Sequence, residues 1–260
     1  MNARAALKKH GFVHLPAPKL SGTLRASFKE FIRSIQKLPV DTYATNTVRE
    51  RRYHEFVVLP WLRIAKPYPT IRENGQSFVE YMQTTYANPQ YKGIGRRFAA
   101  FSPAQLKNRW LLHTIWNSLD IMPDEVRKRT RPLLAGMHII RLVATSGKPG
   151  YSSPGTLHQD DEPFFTITLL DRSPHITGGG NVIAKPEHAG KMPVDVSRKD
   201  ILAEFDLRQP GESYAVLDNM VSHHVDHIEV PRGAPRGIRT ILAIEFIPLV
   251  PQLSADSNDT

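Results

Sequence analysis

The sequence predicts a mainly β protein with flanking helices, a double-stranded β-helix (jelly-roll, cupin-like) barrel with a helical N-terminal half. Three observations predict it. Apolar residues recur at helical spacing through much of the first 132 residues. From Leu133 the texture changes to short apolar or β-branched runs separated by Gly- and Pro-rich turns. About eight such runs follow one another without an internal repeat, which suits a barrel with helices packed on its outside.

In chain order, helices are expected over Ala3–His10 and Thr23–Lys37, where Leu24, Phe28, Phe31, Ile32 and Ile35 mark one face, with Phe12–Leu15 extended between them. Tyr53–Ile64 is largely apolar and carries Pro60, so it reads as a strand entering a turn. Val79–Thr85 and Ala104–Leu119 read as helices, and Met122–Thr130 as a short helix after a Pro-Asp-Glu start. The strands expected after that are Gly136–Ala144, Thr156–Gln159, Phe164–Asp171, Asn181–Ala184, Ala203–Asp206, Glu212–Leu217, Val221–Val230 and Arg239–Ile247.

With 260 residues and 40% hydrophobic content, the chain is long enough to bury a substantial core. It reads as one domain over 1–253, with 1–132 as mostly helical support, 133–250 as the jelly-roll core and 254–260 as a disordered tail. The absence of cysteine excludes disulfides, iron–sulfur clusters and thiol nucleophiles, so any metal must bind through His, Asp or Glu. No segment approaches the roughly 18 apolar residues of a membrane span, and the N-terminus lacks a signal-peptide stretch; a cytoplasmic protein with no membrane partner is expected. The net charge of +9 is scattered. Its densest runs are Arg49–Arg52 and Arg127–Arg131, the second of which suits the basic end of a helix, so nucleic acid is not the expected partner.

The chemistry begins with His158 and Asp160, which project from the same face of an extended chain and could share one metal. The run Ser222-His223-His224-Val225-Asp226-His227 offers a second histidine, and alternation allows only one of His223 and His224 to be a ligand. Two histidines and a carboxylate form the facial triad of non-haem iron(II) centres, although zinc uses the same donor set. Arg239 opens an apolar strand, and a buried arginine there needs an anion. In an iron oxygenase that anion is the distal carboxylate of 2-oxoglutarate; a zinc hydrolase has no need of it.

These residues, with Tyr151-Ser152-Ser153-Pro154, the stretch Leu157 to Pro163, Gly178-Gly179 and Asn181-Val182-Ile183-Ala184, resemble the bacterial iron(II)/2-oxoglutarate dioxygenases that hydroxylate free L-amino acids, the L-isoleucine 4-hydroxylase-like family. The likeness runs through about Leu133–Phe246 and is thinner upstream, at Arg49-Glu50-Arg51 with Tyr53, Arg96 with Phe98, and Gly136-Met137-His138 with Arg141. It implies His158 and Asp160 as metal ligands, His223 as the distal ligand with His224 as the alternative, and Arg239 as the 2-oxoglutarate residue; Thr156, two residues before His158 on the same strand face, is placed to line that pocket. In place of the family's Thr-Pro after the distal histidine, this chain carries Asp226-His227.

The resemblance further implies Fe(2+), 2-oxoglutarate and dioxygen as the reactants that hydroxylate an unactivated C–H bond, with release of succinate and carbon dioxide and with ascorbate supporting activity. A free L-amino acid is the expected small-molecule partner. Its carboxylate calls for a cation and its ammonium for an acid or carbonyl; Arg141 and Arg51 or Arg52 are candidates for the first role, Asp161, Glu162 and Glu245 for the second, with His138 beside them. On a regular strand His138 and Arg141 face opposite ways, so both reach the site only if that strand bulges. The competing readings are an oxygenase of a peptide or nucleic-acid substrate, and a metal-binding barrel or zinc hydrolase with the same ligands.

Overall fold

The computed structural model describes residues 2–45, 47–82, 93–124, 131–160 and 162–249. It opens with α1 (Ala3–His10), β1 (Phe12–Leu15) and α2 (Gly22–Ser34). Asn2 caps α1 by accepting the Ala5 N–H at 2.9 Å, and Gly11 ends it in the left-handed region at φ 78°. A side chain at Gly11 would also place its Cβ 2.7 Å from that of Met220, so the turn needs glycine twice over.

The long β2 (Val48–Leu59) pairs with β3 (Ile64–Pro67) across a turn at Pro60. Then β4 (Ile71–Glu73), β5 (Gln76–Tyr81) and β6 (Arg96–Ala99) form a three-stranded sheet. The helix expected over Val79–Thr85 is thus corrected: Val79 and Tyr81 are buried while Glu80 is exposed, a period of two that belongs to a strand. Residues 83–85 of that expectation lie outside the described residues, as does most of Met122–Thr130 and all of the tail 254–260. The helix expected over Ala104–Leu119 is two, α3 (Pro103–Leu106) and α4 (Arg109–Ile121). A Ser102–Gln105 capping box starts one, and Asn108 caps the other by accepting the Leu111 N–H. The helical first half is therefore shared between four helices and six strands among the described residues.

The barrel strands follow as β7 (Leu133–Ala144), β8 (Phe164–Arg172), β9 (Thr177–Gly178), β10 (Asn181–Ala184), β11 (Ile201–Phe205), β12 (Ser213–Leu217), β13 (Ser222–Val225), β14 (Ile228–Glu229) and β15 (Gly237–Pro248). Seven strands make the larger antiparallel sheet in the order β1-β12-β8-β15-β7-β2-β3. A three-stranded sheet β11-β10-β13 and the pair β14-β9 complete the jelly roll. The strand expected over Thr156–Gln159 is reduced to a single bridge from His158 to His223, and the one over Val221–Val230 breaks at Asp226-His227.

Alternation on the long strands divides the interior in two. Met137 and Ile139 of β7, with Leu242, Ile244 and Phe246 of β15, pack against Phe31, Trp110, Leu111 and Ile115 of the helices. The opposite faces of β7 and β15 carry His138, Ile140 and Leu142, and Arg239, Ile241, Ala243 and Glu245, into a cavity inside the barrel. The neighbours of β7, β15 and β2, both pair with it in continuous register, with no bulge. Among the described residues no helix is long and apolar enough to cross a membrane.

Candidate metal centre and its cavity

The bridge between His158 and His223 is a reciprocal pair of N–H···O=C bonds, both 2.9 Å, which sets the two residues directly opposite one another. Directly paired residues share a face, and the imidazole centroids lie 4.1 Å apart. Asp160, two residues beyond His158, brings Oδ2 to 3.5 Å from His223 Nε2. One potential ligand atom from each of the three side chains falls within 4.8 Å of the others, and this is the one such group among the described residues.

The protonation states suit a cation. His158 Nδ1 lies 2.9 Å from the Thr156 carbonyl, which can only accept, so Nδ1 carries the proton and Nε2 keeps its lone pair. Burial, helped by His223, lowers the His158 pKa to about 4, which leaves the ring neutral. Burial pushes the Asp160 carboxyl upward, but its bond to His223 and the nearby His158 bring it down to about 2, so it is ionised. Two imidazoles and a carboxylate fit a divalent iron or zinc ion. His224 takes no part: it turns to the other face of β13, where Nε2 meets Asp226 Oδ1 at 3.1 Å.

The triad opens on a cavity of about 140 Å³ whose wall includes Arg239. Only 3% exposed, the Arg239 guanidinium reaches Asn181 Oδ1 at 3.5 Å and leaves Nε without a partner. No carboxylate pairs with it among the described residues, and burial lowers its pKa to about 10. A desolvated guanidinium without a counterion fits a ligand carboxylate. The Gly178-Gly179 turn makes room for it. At φ +76°, a Cβ on Gly179 would come to 3.0 Å from Arg239 Cδ, and one on Gly178 would strike the His227 carbonyl at 2.1 Å.

Of the other expected site residues, Arg51 and His138 line the cavity and Arg141 does not. Arg141 faces the helical layer, where Nε bonds Thr240 Oγ1 and the remaining nitrogens bond Glu50, Gln36 O and Ile35 O. Thr156 contributes its carbonyl to His158 and is not part of the cavity wall. Glu162 is buried beside a separate shallow pocket with Gln159, Asp160 and Asp218, and Asp161 lies outside the described residues. Glu245 does reach the cavity; burial, with Asp160 nearby, raises its carboxyl to about 8. Polar wall residues not foreseen as ligand contacts include Arg49, Tyr81, Arg96, Asn181 and Tyr214. Arg49, Arg96 and Asn181 fall in stretches that carry the resemblance, while Tyr81 and Tyr214 had no local signal.

The 2OG-Fe dioxygenase family matches residues 33–245. The 3(1)-hydroxy-L-isoleucine 4-dioxygenase of Pantoea ananatis is 32% identical over 108 residues, 41% of this chain and 44% of that protein. The L-isoleucine-4-hydroxylase of Bacillus thuringiensis is 26% identical over 171 residues, 64% of this chain and 65% of that protein. The chain thus spans less than two thirds of either curated relative. Among solved structures, that of IDO from Bacillus thuringiensis superposes with a TM-score of 0.74 at 18% identity, covering 95% of this chain and 97% of that one. A bsmA homolog from Methylobium petroleophilum gives 0.69 at 17% identity, covering 95% and 92%. Both likenesses concern the fold.

Proposed function

The chain belongs to the 2OG-Fe dioxygenase family, and from that premise we propose that it hydroxylates an unactivated C–H bond of a free L-amino acid or close derivative, using iron(II), 2-oxoglutarate and dioxygen and releasing succinate and carbon dioxide. The observation that carries this reading is Arg239, a buried guanidinium with no counterion among the described residues, in the same cavity as a His-Asp-His triad. A zinc hydrolase on the same ligands would leave that charge unexplained.

In this reading His158, Asp160 and His223 hold the metal, and Arg239 pairs the far carboxylate of 2-oxoglutarate. Iron(II) with 2-oxoglutarate supplies the oxidising chemistry when bound, and the chain supplies position and dryness. His158 is held in its ligating tautomer by the Thr156 carbonyl. Ile140, Leu142, Ile167, Val225 and Ile241 give the cavity an apolar wall that excludes water from the reacting centre. The amino-acid substrate class is supported by the two curated relatives, whose names place isoleucine or its hydroxylated form as their substrate. We read 1–253 as one dioxygenase domain, since β1 extends the same sheet as the strands that line the site and Phe31 of α2 packs in its main core.

The test is mass spectrometry of individual free L-amino acids incubated with the protein, iron(II), 2-oxoglutarate, ascorbate and air. Gain of one oxygen on an amino acid with an equal yield of succinate is the expected result. Succinate release with no oxidised amino acid anywhere in the panel would contradict the substrate class.

A further inference from the structure

The cavity holds more cationic side chains than the proposed co-substrate accounts for. On β2, alternation turns Arg49 and Arg51 inward, and Arg96 of β6 joins them. Arg49 is satisfied by Asp41, 2.7 Å away and also buried. Arg51 is not: it is 6% exposed, its Nε has no partner, and it makes no ion pair among the described residues. Its guanidinium stands 4.1 Å from the Phe98 ring centre and 5.1 Å from that of Tyr81, and Arg96 stacks on the same two rings at 5.7 and 5.0 Å. The neighbouring Arg96 adds positive potential at Arg51, which favours an anion at the unspent edge of the Arg51 guanidinium.

The neighbours orient the fork. Arg51 Nη2 lies 2.6 Å from His138 Nδ1, and arginine can only donate, so Nδ1 accepts and His138 carries its proton on Nε2. That nitrogen lies 3.0 Å from Glu245 Oε1 in a close but poorly aligned contact. Glu245 itself reaches across β7 over Gly136, where an added Cβ would fall 2.2 Å from its Oε1. One edge of Arg51 is thus fixed by His138 while Nε remains unspent, with Glu245 at the far end of the relay.

Arg51 is also well separated from Arg239. Arg51 is opposite Ile140, and Ile140 is opposite Ile241, which places Arg51 two strands from β15, or roughly 10 Å of backbone. One dicarboxylate with its near end on the metal does not occupy both guanidiniums.

We propose that Arg51, backed by Arg96 and held in place by His138, is a second carboxylate seat in the cavity, and that it takes the carboxylate of the substrate while Glu245 faces its ammonium group. The proposal rests on the amino-acid reading above and assigns its specificity to one residue. It requires that a decarboxylated substrate bind poorly although its reacting carbons are unchanged.

The experiment uses the full chain with iron(II) and 2-oxoglutarate under anaerobic conditions. Each free L-amino acid is added in turn, and the one that raises the melting temperature most is compared with its decarboxylated amine by calorimetric titration. Wild type, Arg51→Met and Arg51→Lys are measured. The expected result is that the amino acid binds Arg51→Met about 10- to 100-fold more weakly than wild type, with Arg51→Lys between them. The amine should bind wild type and Arg51→Met equally, and 2-oxoglutarate affinity should be unchanged throughout. Free of ligands, Arg51→Met should melt above wild type, because a buried unpaired charge is replaced by an apolar chain of similar length.

Equal amino-acid affinity in wild type and Arg51→Met overturns the seat, as does an Arg51→Met protein that melts lower and loses 2-oxoglutarate binding. A wild type that binds 2-oxoglutarate but no amino acid overturns it too. Arg51-dependent amino-acid binding in a protein that ignores 2-oxoglutarate upholds the seat and overturns the proposed reaction instead.

Discussion

Replacing Arg141 by Met should cost stability and leave substrate recognition alone. The side chain is 1% exposed and joins three elements: Nε bonds Thr240 Oγ1 on β15 at 2.9 Å, Nη1 bonds Glu50 on β2 at 3.0 Å and Gln36 O at 3.1 Å, and Nη2 bonds Ile35 O at 2.8 Å. The last two carbonyls belong to the end of α2, whose final turn has no intrahelical donors left to offer them. Removing one partner of a buried ion pair costs about 3–5 kcal/mol. Glu50 keeps its contact with Arg236, which argues for the lower end, while the orphaned Ile35 carbonyl adds about 1 kcal/mol or more. The expected loss is about 4 kcal/mol, or a fall of roughly 8–16 °C in melting temperature at about 2–4 °C per kcal/mol for a chain of this size. Urea denaturation at several wavelengths, with amino-acid titration of the folded protein, measures both sides of the prediction. A loss below about 1 kcal/mol accompanied by weakened amino-acid binding would instead put Arg141 on the cavity side of β7.

Three further outcomes follow from buried groups. His54 is 1% exposed and has no partner on either nitrogen among the described residues, and burial lowers its pKa to about 4. The unfolded chain takes up that proton near pH 6.5, so stability contributed by the neutral ring is lost as pH falls from there through about 4; His54→Phe, beside Phe56 and Phe101, should gain on wild type over that window by up to about 3 kcal/mol, read from urea midpoints. Glu245 shifts the other way: its folded value of about 8 means that the folded state keeps a proton the unfolded state has released, and stability declines as pH rises toward and through about 8. In the metal-free protein Glu245→Gln should therefore gain on wild type as pH climbs from 5 to 8, and a flat difference would contradict the burial argument. Gly136→Ala would place a methyl against the Glu245 side chain, so it should weaken amino-acid binding with little change in 2-oxoglutarate affinity by calorimetry.

The sequence made the triad legible because its signal is local. His158 and Asp160 are two residues apart, and the choice of His223 over His224 follows once alternation is applied to a strand whose pairing is known. Alternation also anticipated that His138 and Arg141 part company on an unbulged β7. What stayed hidden was non-local. The second cationic group needs β2, β6 and β15 brought together, and no spacing rule relates Arg51 to Arg96 or to Glu245. Val79–Thr85 misled because a short run of apolar residues matches a helix or a strand, and burial of Val79 and Tyr81 against Tyr53 and Phe98 decided it. Thr156 misled for a different reason: the i, i+2 rule holds only along a strand, and pairing there stops at His158.

In the proposed reading, Arg239 is the residue that makes this metal site an oxygenase. Oxygen-dependent succinate release from 2-oxoglutarate by Arg239→Met, with bound iron measured in the same samples, tests it most directly. Full iron content and a rise of about 10-fold or more in the KM for 2-oxoglutarate are expected, since one charge-assisted pair is removed. Unchanged succinate release at low 2-oxoglutarate, with iron still bound, would contradict it.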